Sequence, residues 1–279
     1  MTERSLNEDM LLNFKEYLVI EEKSPATIEK YLRDNRAFFA FIGNDAVTKE
    51  KVIEYKQFLV EQKYAVKSIN SMLASINSLL CFLGWQSCRV KSLKVQRQIY
   101  CTEEKELTKE EYMRLLEASK QKVQLNLILQ TICSTGIRVS ELKYFTVEAV
   151  RKGEISVQCK NKARRILIPG KLKKRLLIYA KKSGIKTGVI FVAKNGKPLD
   201  RSSIWARMKR LCEDANVNPS KVFPHNLRKL FARTFYRIEK DIAKLADILG
   251  HGSIETTRIY IMTTGVEHRR KLERMGLVI

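Results

Sequence analysis

At 279 residues, with 44% of them hydrophobic, the chain is long enough for one large globular domain or two modest ones with packed cores. Its formal net charge of +23 is uneven: residues 1–100 hold 15 Lys and Arg against 12 Asp and Glu, leaving 38 against 18 in the remainder. Such self-repulsion favours a polyanionic partner, nucleic acid first, while the lack of a long apolar run and of a basic-then-apolar start argues against a membrane protein and predicts a cytoplasmic one.

In chain order, Met10, Leu11, Phe14, Tyr17 and Leu18 share one helical face. Ser24-Pro25 supplies an N-cap with proline at N1 for a second helix, whose apolar positions Ile28, Tyr31, Leu32, Phe38 and Phe39 run to a stop at Gly43. A third helix opens at Thr48. The fourth repeats Ile69, Met72, Leu73, Ile76, Leu79, Leu80 and Leu83 at a period of about 3.6 and ends at Gly84. These pack as a four-helix domain over residues 1–86. Between Gln86 and Glu106 the periodicity fails and Arg89, Lys91, Lys94 and Arg97 recur, as expected of a linker, 87–106, that crosses a phosphate backbone.

The second domain, 107–279, opens on a capping box, Thr108 with Glu111, followed by an apolar helix from about Val123 to Cys133 that stops near Gly136. In EISVQCKNKARRILIP two β-prone runs flank a polar, basic turn at Lys160 to Ala163, which predicts a hairpin, and VIFV at 189–192 is a candidate third strand. Helical patterns follow near 201–214, 224–237, 240–249 and 253–261, with a last basic helix from about 266. The fold class is therefore mainly α, with a small antiparallel sheet in the second domain. Six cysteines at irregular spacing, with no CxxC pair, read as reduced thiols rather than a zinc or disulfide framework.

Three motifs in the second domain carry chemistry. In TGIRVSEL, Arg138 and Glu141 lie three apart, so the carboxylate is placed to hold the guanidinium; a plain surface ion pair has the same spacing. In PHNLRKLFA, Pro224 presents His225 and Arg228 near a helix N-terminus, where phosphate is favoured. In LGHGSIETTRIY, His251 follows a helix-stop glycine, where histidine also serves as a C-cap, and Tyr260 comes nine residues later.

A tyrosine attacking a phosphodiester must lose a proton whose ordinary pKa is about 10, which near neutral pH costs about 4 kcal/mol without a base or cations. Two arginine forks, Arg138 and Arg228, can receive the charge that builds on the phosphate oxygens without a metal or other cofactor. The leaving oxygen needs a proton, for which Lys160 is the candidate donor with Lys162 beside it; backbone contact with DNA is the plainer role for either. No carboxylates converge near these motifs as a two-metal site would need.

The ordered set Arg138, Lys160, His225, Arg228, His251 and Tyr260 resembles the tyrosine recombinase (phage integrase) family, particularly its short Xer-like members, and SPATIEKYLRDNRAFFAFIG resembles the family's SAM-like core-binding domain. The resemblance implies a clamp around double-stranded DNA, a 3′-phosphotyrosine intermediate at Tyr260, His225 and His251 assisting proton transfer and phosphate binding, and strand exchange through a Holliday junction by a homotetramer that is monomeric off DNA. It leaves room for a second recombinase or an accessory directionality protein. Departures are Lys229 after Arg228, where the family frequently has histidine, and KNKARR, where a glycine commonly follows the lysine; Lys229 is read as a DNA contact. No extra N-terminal arm-binding module is expected, and the apolar end of VEHRRKLERMGLVI is expected to dock on a neighbouring protomer. Rival readings are a type IB topoisomerase or resolvase with the same chemistry and a silent DNA-binding accessory protein.

Overall fold

A computed structural model describes residues 4–94, 106–159, 162–193, 195–262 and 265–276. The chain divides into two compact units, Met1–Arg97 and Gln98–Ile279.

In the first unit, α1 (Glu8–Ile20), α2 (Pro25–Ile42) and α3 (Lys49–Glu61) begin where Asn7, Ser24 and Thr48 accept a hydrogen bond from a backbone N–H of the first turn, and α4 (Val66–Phe82) closes the bundle. The apolar faces read from the sequence meet inside: Phe14, Leu18, Ile28 and Leu79 form one cluster, and Phe38, Val52, Tyr55, Ile69, Leu73 and Ile76 another. Each such side chain contributes about 2 kcal/mol over its exposed state.

The stretch expected to be a linker, 87–106, starts as part of this unit. Asn77 donates to the Val90 carbonyl at 2.8 Å and accepts from the Val90 N–H at 3.1 Å, and Asn70 does the same with Leu93 at 2.9 and 2.8 Å. Two side-chain amides thus stand in for a strand edge, which fastens residues 90–93 to α4 and leaves Arg89, Lys91 and Lys94 exposed. Arg97 lies outside the described residues.

The second unit is built around α6 (Val123–Thr135), most of which is inside: Leu125, Leu127, Ile128, Leu129 and Ile132 are all buried, and so are Asn126, Thr131 and Thr135. It follows α5 (Lys109–Ala118), which opens on the Thr108–Glu111 capping box. After α7 (Val147–Lys152), β1 (Glu154–Cys159) and β2 (Lys162–Leu167) pair antiparallel, from Glu154 opposite Leu167 to Cys159 opposite Lys162. The turn is shorter than the sequence suggests, because Lys162 and Ala163 belong to the ladder.

Residues 189–192 form no strand. Val189 and Val192 each make a single bridge, to Thr146 and Pro198, while Ile190 and Phe191 are driven into the core. The run's β propensity reflects burial.

Helices α8 (Gly170–Lys182), α9 (Arg201–Lys209), α10 (Leu211–Asp214), α11 (Pro224–Glu239), α12 (Ile242–Leu249), α13 (Ile254–Ile261) and α14 (Gly265–Glu273) complete the unit. The helix expected over 201–214 is divided at Arg210. Helix α11 packs across α6 and against α12 and α13. No described helix is long and apolar enough to cross a membrane, and Cys81, Cys88, Cys133 and Cys212 are free thiols.

Candidate active site

Helix α6 stops at Gly136, whose backbone is left-handed at φ +64° and against which Phe231 packs too closely to admit a Cβ. The chain then passes through Arg138 into a 3₁₀ helix, Val139–Tyr144. A 3₁₀ helix repeats every three residues, so it stacks Arg138 directly over Glu141. Glu141 is only 3% exposed and is fully engaged: Oε1 accepts from Arg138 Nη1 at 2.9 Å, and Oε2 accepts from the Arg138 backbone N–H at 2.8 Å and from Arg164 Nη2 at 2.7 Å. A spacing compatible with a weak surface pair is thus a buried carboxylate bridging two guanidinium groups.

Arg228 is carried one turn into α11 and is 2% exposed. Its guanidinium donates to the carbonyls of Gly136 and, at 2.6 Å, Leu249. These are the C-terminal ends of α6 and α12, and the partial negative charge of two converging helix ends offsets the cost of burying a cation. Burial first, and then the nearby Arg138, still lower the Arg228 pKa to about 10, so the group remains cationic at neutral pH.

Helix α12 ends at Gly250, also left-handed at φ +62°. Beyond it, His251 Nδ1 lies 2.8 Å from Thr257 Oγ1, and Nε2 lies 3.0 Å from Arg228 Nη2. Arginine can only donate, so Nε2 is the acceptor and the ring carries its proton on Nδ1, directed at Thr257. Burial, followed by the charges of Arg228, Arg138 and Arg164, pushes the His251 pKa down to about 4.

Helix α13 turns Thr257 and Tyr260, three residues apart, onto its buried face. The Tyr260 ring packs in a small cluster with Ala232, Leu245 and Leu249. Its hydroxyl lies 3.3 Å from His225 Nδ1. His225 keeps an edge open to solvent, but its ring is stacked parallel to Phe223 and meets Tyr260 edge-on. Burial of that part of the ring, and then Lys229 and Arg228, hold its pKa below the usual imidazole value. A cleft of about 810 Å³ opens on these groups, with Arg138, Arg201, Trp205, Lys209, His225 and Tyr260 among its lining residues.

The structure therefore brings Arg138, Glu141, His225, Arg228, His251 and Tyr260 into one site. Lys160 lies outside the described residues, and Lys162 is placed by its backbone at the start of β2. Lys229, read from the sequence as a DNA contact, instead pairs with Glu106 at 3.0 Å, beside Arg233, which donates to the same carboxylate and to the Leu107 carbonyl. The sequence reading missed Arg164 and Thr257. Arg164 had a signal: it shares a face of β2 with Ile166, opposite the buried Val157, a position where an arginine needs a partner inside. No group of three or more His, Cys, Asp or Glu suited to a metal occurs among the described residues.

Residues 105–265 match the phage integrase family, and residues 11–87 match the phage integrase N-terminal SAM-like domain. Over 288 aligned residues the chain is 29% identical to tyrosine recombinase XerA of Pyrococcus furiosus, covering 100% of this chain and 98% of that one. It is 25% identical to tyrosine recombinase XerD of Haemophilus influenzae, covering 95% and 96%. In fold it is similar to a lambda integrase dimer bound to a COC′ core site (TM-score 0.74, 16% identity, 93% of this chain and 96% of that one) and to XerA recombinase (TM-score 0.53, 24% identity, 97% and 99%). The chain belongs to the phage integrase family, and like these relatives it is a tyrosine recombinase, an enzyme of site-specific DNA recombination.

Proposed function

We propose that this recombinase cleaves duplex DNA with Tyr260 as nucleophile and Arg138 and Arg228 as the receivers of phosphate charge. The observation that carries the assignment is that the Tyr260 phenol shares one cleft with both guanidinium groups and touches His225. In the forward step the phenol proton passes to Nδ1 of neutral His225, the phenolic oxygen bonds to phosphorus, and the bond to the 5′ oxygen breaks, leaving a 3′-phosphotyrosine. The leaving oxygen takes a proton from Lys160 or Lys162 at the hairpin end, and His251 keeps Arg228 oriented. Rejoining reverses these steps with the 5′ hydroxyl of another strand, so bond energy is conserved and no cofactor is consumed.

The basic excess in residues 101–279 supports DNA as partner, and exposed Arg89, Lys91 and Lys94, with Arg97, are assigned to its backbone. Strand exchange needs four active sites at a junction. A lambda integrase of this fold has been solved as a tetramer bound to a Holliday junction, which supports a homotetramer on paired sites; assembly in the cytoplasm from protomers monomeric off DNA, with or without an accessory protein, completes the reading.

A supercoiled plasmid carrying two copies of DNA flanking the gene tests the reading. Recombination gives deletion or inversion products joined at the repeats. Relaxation without such products would instead indicate a topoisomerase.

A further inference from the structure

Among the described residues, one side chain links the two halves of the arginine site. Arg164 is 11% exposed in its side chain; Nη2 donates to Glu141 Oε2 at 2.7 Å, and Nη1 donates to the Leu249 carbonyl at 2.5 Å. Glu141 is the carboxylate that orients Arg138, and the Leu249 carbonyl is one of the two that orient Arg228. No other described residue bonds to both acceptors. The contact is also built into the backbone, because a Cβ at Gly250 would fall on the Arg164 guanidinium.

Arg164 is the third residue of β2, two beyond Lys162 and four beyond Lys160, on a strand that packs against α12 although Leu249 lies 85 positions further along the chain. The two ends of its planar fork fix both the distance and the tilt of the strand, as a flexible point charge would not. We propose that Arg164 is a positioning residue that holds β2, and with it the lysine-bearing end of the hairpin, against the arginine site, so that the proton donor for the leaving oxygen arrives in register with the scissile phosphate. The proposal rests on the assignment of that donor to a hairpin lysine. It gives Arg164 no bond to the phosphate.

The test compares single-turnover cleavage of two DNAs that share one cleavable site. One has an ordinary phosphodiester; the other has sulfur in place of the bridging 5′ oxygen, which leaves as a thiolate and needs no proton. The variants are Arg164→Met, Arg164→Lys, Lys160→Ala and Lys162→Ala, each checked for thermal stability and DNA binding. Arg164→Met is expected to lose about 10²-fold on the ordinary substrate, the contribution of a misplaced general acid, and to return to within about tenfold of the parent on the sulfur substrate. If Arg164→Met does not fold, Arg164→Lys carries the test, since it keeps a charge beside Glu141 but cannot span to the Leu249 carbonyl. Rescue of one lysine variant without rescue of the Arg164 variants overturns the proposal while the lysine assignment stands. If neither lysine variant is rescued, the lysine assignment fails and the proposal fails with it.

Discussion

The hydroxyl of Tyr260 lies 3.3 Å from Nδ1 of His225, and the two rings meet edge to face at 84° with centroids 5.0 Å apart. In the proposed step that contact passes the phenol proton to Nδ1, with the ring's own proton on Nε2. It functions only while the imidazole is neutral, a state that burial and the surrounding cations favour for both His225 and His251.

Covalent cleavage is therefore expected to hold level from about pH 8 down past the usual histidine range near 6.5 and to fall only below it. The sign for stability follows the same way. The unfolded chain takes up a proton at His251 near pH 6.5, whereas the folded chain resists until about 4, so this contribution is present above 6.5 and is lost as pH falls between those values. Cleavage rates and thermal midpoints across pH 4–8 check both statements; a rate that falls already above pH 7 would contradict the neutral pair.

Arg228→Lys should be severe despite preserving charge. A single ammonium cannot reach the Gly136 and Leu249 carbonyls and His251 together, so a drop of at least about 10²-fold in cleavage is expected, with a lower melting temperature from the carbonyls left unpaired. Retention of near-parental cleavage in a folded Arg228→Lys protein would show that the fork geometry is unimportant.

Thr257→Val preserves shape and removes the partner of His251 Nδ1. A part-buried donor left unpaired costs about 1–3 kcal/mol and loosens the ring that holds Arg228, so cleavage should fall by about tenfold. Nitrogen chemical shifts of His251 should keep the Nδ1–H form, because Arg228 still donates to Nε2; a change to a mixture of tautomers would show that Thr257, not Arg228, sets the form.

Two nearby glycines provide an internal control. Gly250→Ala places a methyl on the Arg164 guanidinium at a positive φ and should destabilise by more than about 1 kcal/mol while slowing cleavage. Gly252→Ala meets nothing within 4 Å and should be close to neutral in both measurements. Equal melting temperatures for the two variants would mean that the Gly250–Arg164 approach is not tight.

Much of this was legible in the sequence because it is local. Ser24-Pro25, Thr108 with Glu111, and the glycines after α6 and α12 fix helix ends by short-range chemistry, and the faces of α1, α2 and α4 follow from spacing alone. The site's main groups also stood out, since two arginines, two of only three histidines and one tyrosine fall within three short motifs. What stayed hidden depends on pairing between distant segments. Arg164 sits in a basic run, Lys162 to Arg165, where alternation with Ile166 hints at an inward face but its partners Glu141 and Leu249 come from distant segments. Thr257 gains its role only when α13 folds back on His251. The 189–192 run looked like a strand because apolar β-branched residues serve a buried loop equally well. Lys229 looked like a free cation because its partner, Glu106, lies 123 positions earlier.

The most direct measurement uses a nicked suicide DNA whose cleaved end diffuses away, trapping the covalent complex for a denaturing gel and peptide mass spectrometry. Tyr260 as nucleophile predicts an adduct on the peptide that contains it, formed without added metal, absent in Tyr260→Phe, and unaccompanied by any loss of DNA binding in that variant. An adduct that persists in Tyr260→Phe, or that maps to another tyrosine, would contradict it.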